Sequence, residues 1–432
     1  MLQLFKDRNF VTYWFGEFVS VVGDHISMIA FPLLVLQMTG SVAMTGMVFA
    51  AQGLPRAVLM LAGGAIVDRS SPRLIMLLTN MLRCGLVMLV SYLIYIDVAT
   101  TELIFGMAVL FGIADAFFYP ANTAIVPSLV GKEQLKEANA LVQGSIWVGV
   151  IIGPAIAGFV IAEEITVMGH DVGQMAATYE SNRLGFAKAF FLDGLTFAAS
   201  FLTLLFVKAR LLDDGADEAD TGKKSMLGEV KEGIKWVWSQ PTIRLAFIGV
   251  AGLEFFFQTP IFVGLPALAK ERFLEPAYVY GLMITAYGCG AIVGVTASGY
   301  FRAMTERTMF RNMFLVFMGS GASIGLIVLY EPYWWAMLLF FLSGSGDSFV
   351  WVNFTTWIQK KTPEKMLGRV MSILTFMSVG LIPVASIVLG WAFEWHLENS
   401  LMIVSCILVV GCLLAAMHPD AIYKSTEKTG EA

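Results

Sequence analysis

The chain has 432 residues, of which 57% are hydrophobic and 14% charged, and its mean hydropathy is +0.73. A soluble domain carries about 25% charged residues, so this composition excludes an ordinary soluble enzyme and makes lipid the main solvent. The net charge of -5 says little, because in a membrane protein the position of charge matters more than its sum.

Met1 to Arg8 is short and polar, and the apolar run that follows is too long for a signal-peptide core and lacks a cleavage site. Twelve segments are long enough to span a bilayer: 10–38, 42–67, 74–96, 102–127, 140–162, 186–207, 242–268, 279–301, 309–330, 333–358, 367–392 and 400–417. The runs are continuous rather than alternating, which favours helices over barrel strands. The expected fold is all-α integral membrane, with twelve transmembrane helices in two pseudo-symmetric bundles of six.

In chain order, span one carries Glu17, Asp24 and His25, span two Arg56, span three Arg83, span four Asp115 and span six Asp193. Span seven carries Glu254 and span ten Asp347. A carboxylate at the bilayer centre costs about 3 kcal/mol on insertion scales. Asp24, Asp115, Glu254 and Asp347, on every third span, are therefore the candidate substrate- and proton-binding residues. Glu17 lies seven residues before Asp24 on the same helix face, as a gate or second proton site. Arg56 and Arg83 lie at similar depth. Asp24 paired with Arg83, and Asp115 with Arg56, would make those acids structural instead. Asp193 reads as shallower and structural, and His25 points away from Asp24 around the helix.

The region 208–241 breaks the apolar pattern. After the acids Asp213, Asp214, Asp217, Glu218 and Asp220, Met226, Val230, Ile234 and Val237 recur at spacings of three and four, opposite Lys224, Lys231, Glu232 and Lys235. This reads as an amphipathic helix on the membrane surface. It divides the chain into an N-terminal bundle (1–207), a linker (208–241) and a C-terminal bundle (242–432). Segment 163–185 is long and has no readable role. All but six of the 28 basic residues fall on one face if both termini are cytoplasmic. The exceptions are Arg56 and Arg83 within spans, and Arg183, Lys188, Lys270 and Arg272 towards the other face. The bias puts both termini inside. The halves are faintly alike: Gly112, Asp115 and Phe117 recur as Gly344, Asp347 and Phe349 at an offset of 232.

Cys84, Cys289, Cys406 and Cys412 all lie in apolar runs without metal-ligand spacing, and read as packing residues. The sequon Asn353-Phe354-Thr355 is within a span and out of reach of glycosylation. There is no phosphate-binding Gly-Lys-Ser/Thr loop and no His-Glu-x-x-His. No enzyme activity, cofactor, metal or nucleic-acid partner is expected.

Three motifs resemble the major facilitator superfamily. The loop after span two reads Gly64-Ala65-Ile66-Val67-Asp68-Arg69-Ser70-Ser71-Pro72-Arg73; span five holds Gly149, Gly153, Pro154 and Gly158; and Tyr119-Pro120-Ala121 runs on to Leu135, Ala138 and Asn139. The last stretch, with Gly23-Asp24 and the Thr39-Gly40-Ser41 turn, is similar to a group of bacterial efflux carriers that includes macrolide and siderophore exporters. Departures exist. Span four has Asp115 where many proton-coupled drug exporters carry arginine, the span-five motif ends in the single Gly158, and the second-half loop near Gly299, Arg302 and Arg307 lacks its aspartate.

The resemblance implies that spans one, four, seven and ten line a central cavity, making the four acids one site. It implies that Asp68 locks the halves together in an outward-open state against the start of span eleven near Gly368, where free amides favour an anion. Arg69 and Arg73 would complete that network, and the glycines with Pro154 would pack span five tightly against the opposite half. The expected function is secondary active, proton-coupled efflux of amphipathic or cationic small molecules by alternating access, by a monomer in the bacterial cytoplasmic membrane. The alternative is an exporter or flippase for an endogenous siderophore or lysolipid.

Overall fold

The computed structural model describes residues 4–67, 70–131, 133–167, 179–208, 226–300 and 306–417. Among them every regular element is helical. The first half comprises α1 (Arg8–Thr39), α2 (Val42–Val67), α3 (Pro72–Tyr95), α4 (Thr101–Leu129), α5 (Leu135–Val167) and α6 (Tyr179–Phe206). The linker helix α7 (Met226–Ser239) leads to α8 (Pro241–Leu253), α9 (Thr259–Arg272), α10 (Pro276–Tyr300), α11 (Glu306–Leu329), α12 (Tyr333–Lys361), α13 (Glu364–Trp395) and α14 (Leu397–Ala416). Twelve of these rods are long and apolar enough to cross a membrane, with α8 and α9 counted as one.

Helix ends extend past the apolar runs because capping is a polar task. Asp7 accepts from the amides of Asn9 and Phe10, and Gly40 ends α1 with φ of 69°, a conformation that glycine adopts without strain. Span seven is not one α-helix. Between α8 and α9, Glu254–Gln258 forms a π-helical turn in which the Thr259 amide returns to the Glu254 carbonyl. The Thr259 hydroxyl donates to the same carbonyl at 2.9 Å, and Pro260 can donate no backbone bond to the turn before it.

The expected internal repeat appears as matching helix pairs. In α2–α4 a Cβ at Gly112 would run into the carbonyl of Gln52; in α10–α12 a Cβ at Gly344 would run into the carbonyl of Tyr287. These are the glycines related by the sequence offset. Helix α1 packs on α6 through Gly16, against Ser200 and Thr203, and through Gly23, against Asp193 and Thr196.

The halves meet along two symmetric seams, α2 on α13 and α5 on α10. In the first, Gly46 faces the Ser386 carbonyl and Gly53 faces Pro383; in the second, Gly281 faces the Pro154 carbonyl and Gly158 faces Ala277 and Tyr278. Among the described residues, the hydrogen bonds joining the halves lie at mid-depth or towards the α1–α2 turn. Thr285 donates to the Ile151 carbonyl at 3.0 Å. Glu394 of α13 caps the start of α2, accepting from Ser41 Oγ at 3.0 Å, Val42 N at 2.6 Å and Ala43 N at 3.1 Å. Lys270 of α9 donates to the Leu36 carbonyl in the last turn of α1 at 3.0 Å.

That contact also accounts for basic residues on the face opposite to most. Arg183 donates to the Ile94 and Tyr95 carbonyls at the end of α3, and Arg272 to Ile327 and Val328 at the end of α11. Each places a cation on the negative end of a helix dipole.

The linker helix forms where its periodicity predicts. Gly233 rests on Arg369 and Ile373 of α13, Val237 is buried, and Glu232 pairs with Arg369 at 3.2 Å. Ile234, on the expected apolar face, is about half exposed together with Trp238. Both are suited to a lipid interface. The acids from Asp213 to Asp220, Lys224 and residues 168–178 of segment 163–185 lie outside the described residues, as do the side chains of Met226 and Val230.

Candidate substrate and coupling site

Among the described cavities, none is lined by all four acids. They divide into two clusters, one in each half, and each lines its own cavity.

In the first half, Arg83 of α3 stands between Asp24 and Asp115. Its Nη2 lies 2.9 and 3.2 Å from the two Asp24 oxygens and 3.1 Å from Asp115 Oδ1. Arg83 is 1% exposed, and its Nε and Nη1 have no hydrogen-bond partner. Aromatic faces replace one: Phe118 at 4.3 Å, Phe197 at 4.4 Å and Phe111 at 5.2 Å from the guanidinium carbon. Cation–π attraction is strongest for such a desolvated cation. Both expected pairs form, Asp24 with Arg83 and Asp115 with Arg56 at 3.8 Å, but Arg83 also holds Asp115, and more closely, at 3.1 Å. A side chain that reaches two neighbouring helices from α3 can serve both acids, whereas Arg56 on α2 approaches only one.

These groups border a cavity of about 260 Å³, lined by Asp24, His25, Gln52, Arg56, Asp115 and Tyr119, and closed from the other half by Phe262, Ile382 and Pro383. Asp193, set aside as shallow, lies beside this cluster. It is fully buried and accepts from Ser27 and Thr196. Glu17 is in a separate layer, where Asn122 Nδ2 donates to its Oε1 at 2.7 Å and Tyr13 donates to Asn122 Oδ1 at 2.7 Å. Its Oε2 has no partner.

The second half is built differently. Asp347 accepts from Ser320 at 2.8 Å and Tyr287 at 3.3 Å, and Gln258 donates to the Tyr287 hydroxyl at 3.2 Å. Glu254 projects from the π-helical turn into the same cavity of about 450 Å³, which Gln143 and Trp147 of α5 complete from the first half. Glu254 and Asp347 are both buried, and among the described residues neither has a basic partner. Gln258 was legible as the residue one turn beyond Glu254 on the same rod. Tyr287 and Ser320 arrive from α10 and α11 and have no local signal in the sequence. Of the aromatic residues close to the acids in sequence, Tyr119 borders the first cavity and Trp351 the second, while Phe118 covers Arg83.

The candidate gating residues also separate. Asp68 and Arg69 lie outside the described residues. Among the described residues, Arg73 makes its hydrogen bonds to a helix end and not to a charged group. It caps α6, donating to the Leu204 and Leu205 carbonyls at 2.9 and 2.8 Å, because the negative end of that helix is its nearest acceptor. A Cβ at Gly64 or at Gly368 would meet nothing within 4 Å. In span five, Gly158 and Pro154 meet α10 of the opposite half as expected, but Gly149 and Gly153 pack on Val21, Val22 and His25 of α1, within their own half. The pairs Gly149/Gly153 and Pro154/Gly158 lie on different faces of α5, so one motif serves two helix contacts.

Twelve spans, a two-fold seam and charged residues bordering cavities at that seam define a polytopic membrane transporter rather than an enzyme. The chain belongs to the Major Facilitator Superfamily, whose family model matches residues 13–386, and it is a multi-pass protein of the bacterial cell membrane. It is 26% identical over 387 residues to the multidrug efflux pump Tap of Mycolicibacterium fortuitum, covering 87% of each chain. It is 25% identical over 396 residues to the enterobactin exporter EntS of Shigella boydii, covering 90% of this chain and 86% of the relative. Among solved structures, the nucleoside transporter NupG shares the fold with a TM-score of 0.72 at 11% identity, covering 96% of this chain and 99% of that one. A bacterial homologue of the lysosomal transporter Spinster, solved in an inward-facing conformation, superposes with a TM-score of 0.67 at 12% identity, covering 94% and 95%.

Proposed function

We propose that the protein exports amphipathic small molecules in exchange for protons by alternating access, with both termini cytoplasmic. The observation that carries this reading is the pair Glu254 and Asp347, buried at a cavity with neutral donors and, among the described residues, no basic partner. A charged carboxylate in so dry a site needs a neutralising partner. A proton and a cationic or hydrogen-bonding substrate group, bound in turn, supply it. Exclusion of one by the other is the simplest form of exchange. The efflux direction draws support from the multidrug pump and the enterobactin exporters among the relatives, and the orientation from the Lys and Arg bias.

In that orientation the Glu394 cap and the Lys270 contact lie at the outer end, which supports reading this as an inward-open state. Moving outward must break both contacts, and the Asp68 loop then closes the inner end. A second reading, export of an endogenous siderophore, is favoured by the enterobactin exporters among the relatives.

Everted vesicles test the main reading. Acidified inside, they should accumulate a fluorescent amphiphile, and a protonophore should stop them. Accumulation indifferent to the protonophore removes proton exchange from the account.

A further inference from the structure

We infer that Arg56 binds an oxyanion of the transported molecule, a carboxylate or phosphate-like group on an otherwise apolar body. The inference rests on the transporter reading but on neither its direction nor its coupling ion.

A guanidinium presents five N–H donors in a planar fork shaped for two oxygens. Among the described residues Arg56 spends none of them in a hydrogen bond: Nε is shielded without a partner, and the single ion pair, Nη1 to Asp115 Oδ2, spans 3.8 Å. Asp115 is already held more closely by Arg83 at 3.1 Å. The Tyr119 ring, 6.0 Å from the guanidinium carbon, stands at the limit of cation–π range. Leaving such a group short of acceptors is costly, and an acceptor brought by a ligand removes that cost.

Arg83 has unpaired nitrogens too, but it is sealed beneath three rings. Arg56 is 25% exposed and borders the cavity of about 260 Å³. Asp24, also partly exposed at 24%, has both oxygens engaged by Arg83, so it is the poorer anchor for a cation. Asp24 and Asp115 balance Arg56 and Arg83 in charge, and Asp193 beside them is turned to Ser27 and Thr196, outside the cavity lining. Net charge therefore excludes neither sign, and unspent donors decide. Phe31, Phe49 and Phe262 supply the apolar wall. Gly53, three residues before Arg56, faces Pro383 of α13. A ligand held by Arg56 against Phe262 would touch both halves at the seam that must move.

The test is equilibrium binding to purified full-length protein, read by isothermal titration, with naphthalene carrying either a carboxymethyl or a trimethylammoniomethyl group. The wild type should prefer the carboxylate. Arg56→Gln should weaken the carboxylate about tenfold, the scale of one charged hydrogen bond, and change the ammonium probe less than twofold; Arg56→Lys should keep part of the preference. The inference fails if the wild type prefers the ammonium, binds neither probe, or if Arg56→Gln weakens both equally. Should Arg56→Gln not fold, the wild-type preference and its reduction in Arg56→Lys decide. Binding needs no proton gradient. Selective binding without proton-driven transport would sink the exchange proposal alone, and the reverse result would sink only this one.

Discussion

The two halves share a backbone repeat but treat their buried acids in opposite ways. Asp115 and Asp347 stand at equivalent places, on helices seated by the equivalent glycines Gly112 and Gly344. Asp115 is locked with Asp24 onto Arg83 beneath three aromatic rings, whereas Asp347 has only the hydroxyls of Ser320 and Tyr287. One fold position thus serves as a salt-bridged rivet in one half and, among the described residues, as a cation-free carboxylate in the other. Internal symmetry fixes where an acid can sit. Its neighbours determine whether its charge is already spent.

This contrast can be broken at several points. Arg83→Leu should have the largest effect, because it strands two carboxylates in the interior. Removing one partner of a buried pair costs about 3–5 kcal/mol, so thermal unfolding in detergent should come much earlier. Adding Asp24→Asn and Asp115→Asn to that variant should restore much of the loss; no rescue would show that Arg83 acts through packing alone. Gly344→Val comes next. Its side chain must displace the Tyr287 carbonyl, and overpacking of that kind costs about 1–3 kcal/mol, with the matching Gly112→Val expected to cost a similar amount. Markedly unequal melting shifts would contradict the structural equivalence of the halves. Glu394→Gln should cost only about 1 kcal/mol, as for loss of a charged helix cap, yet it should raise labelling of a cysteine placed at Ser41. Unchanged labelling would mean that the cap does not hold that end closed. Asp347→Asn should change the melting point least of all, since its serine and tyrosine donors can keep an amide oxygen.

Much of the fold was legible because lipid imposes a long apolar run for each span, and because residues such as Asp7 and Gly40 mark helix ends locally. The repeat around Asp115 and Asp347 was legible for the same reason: close helix packing needs glycine at a fixed distance from the acid. What was not legible depends on rotation of one helix against another. Arg83 reaching both Asp24 and Asp115, Arg73 turning to the end of α6, and Gly149 facing α1 rather than the opposite half are all set by azimuth. No residue within a single helix encodes that. Asp193 lies beside the Arg83 cluster because Gly23 lets α6 approach α1 closely and carries Asp193 to Ser27, a contact that depth along a single span does not reveal. The π-helical turn at Glu254 had a signal in Pro260, which cannot donate to the preceding turn.

The central claim is that coupling resides in the second half and not in the Arg83 cluster. Proton-driven uptake into everted vesicles, compared between Asp24→Asn and the double variant Glu254→Gln/Asp347→Asn, tests it most directly. The double variant should lose all acceleration by the pH gradient while still exchanging labelled for unlabelled substrate, and Asp24→Asn should keep most of its gradient-driven uptake. Gradient-driven uptake that survives in the double variant and disappears in Asp24→Asn would contradict the account.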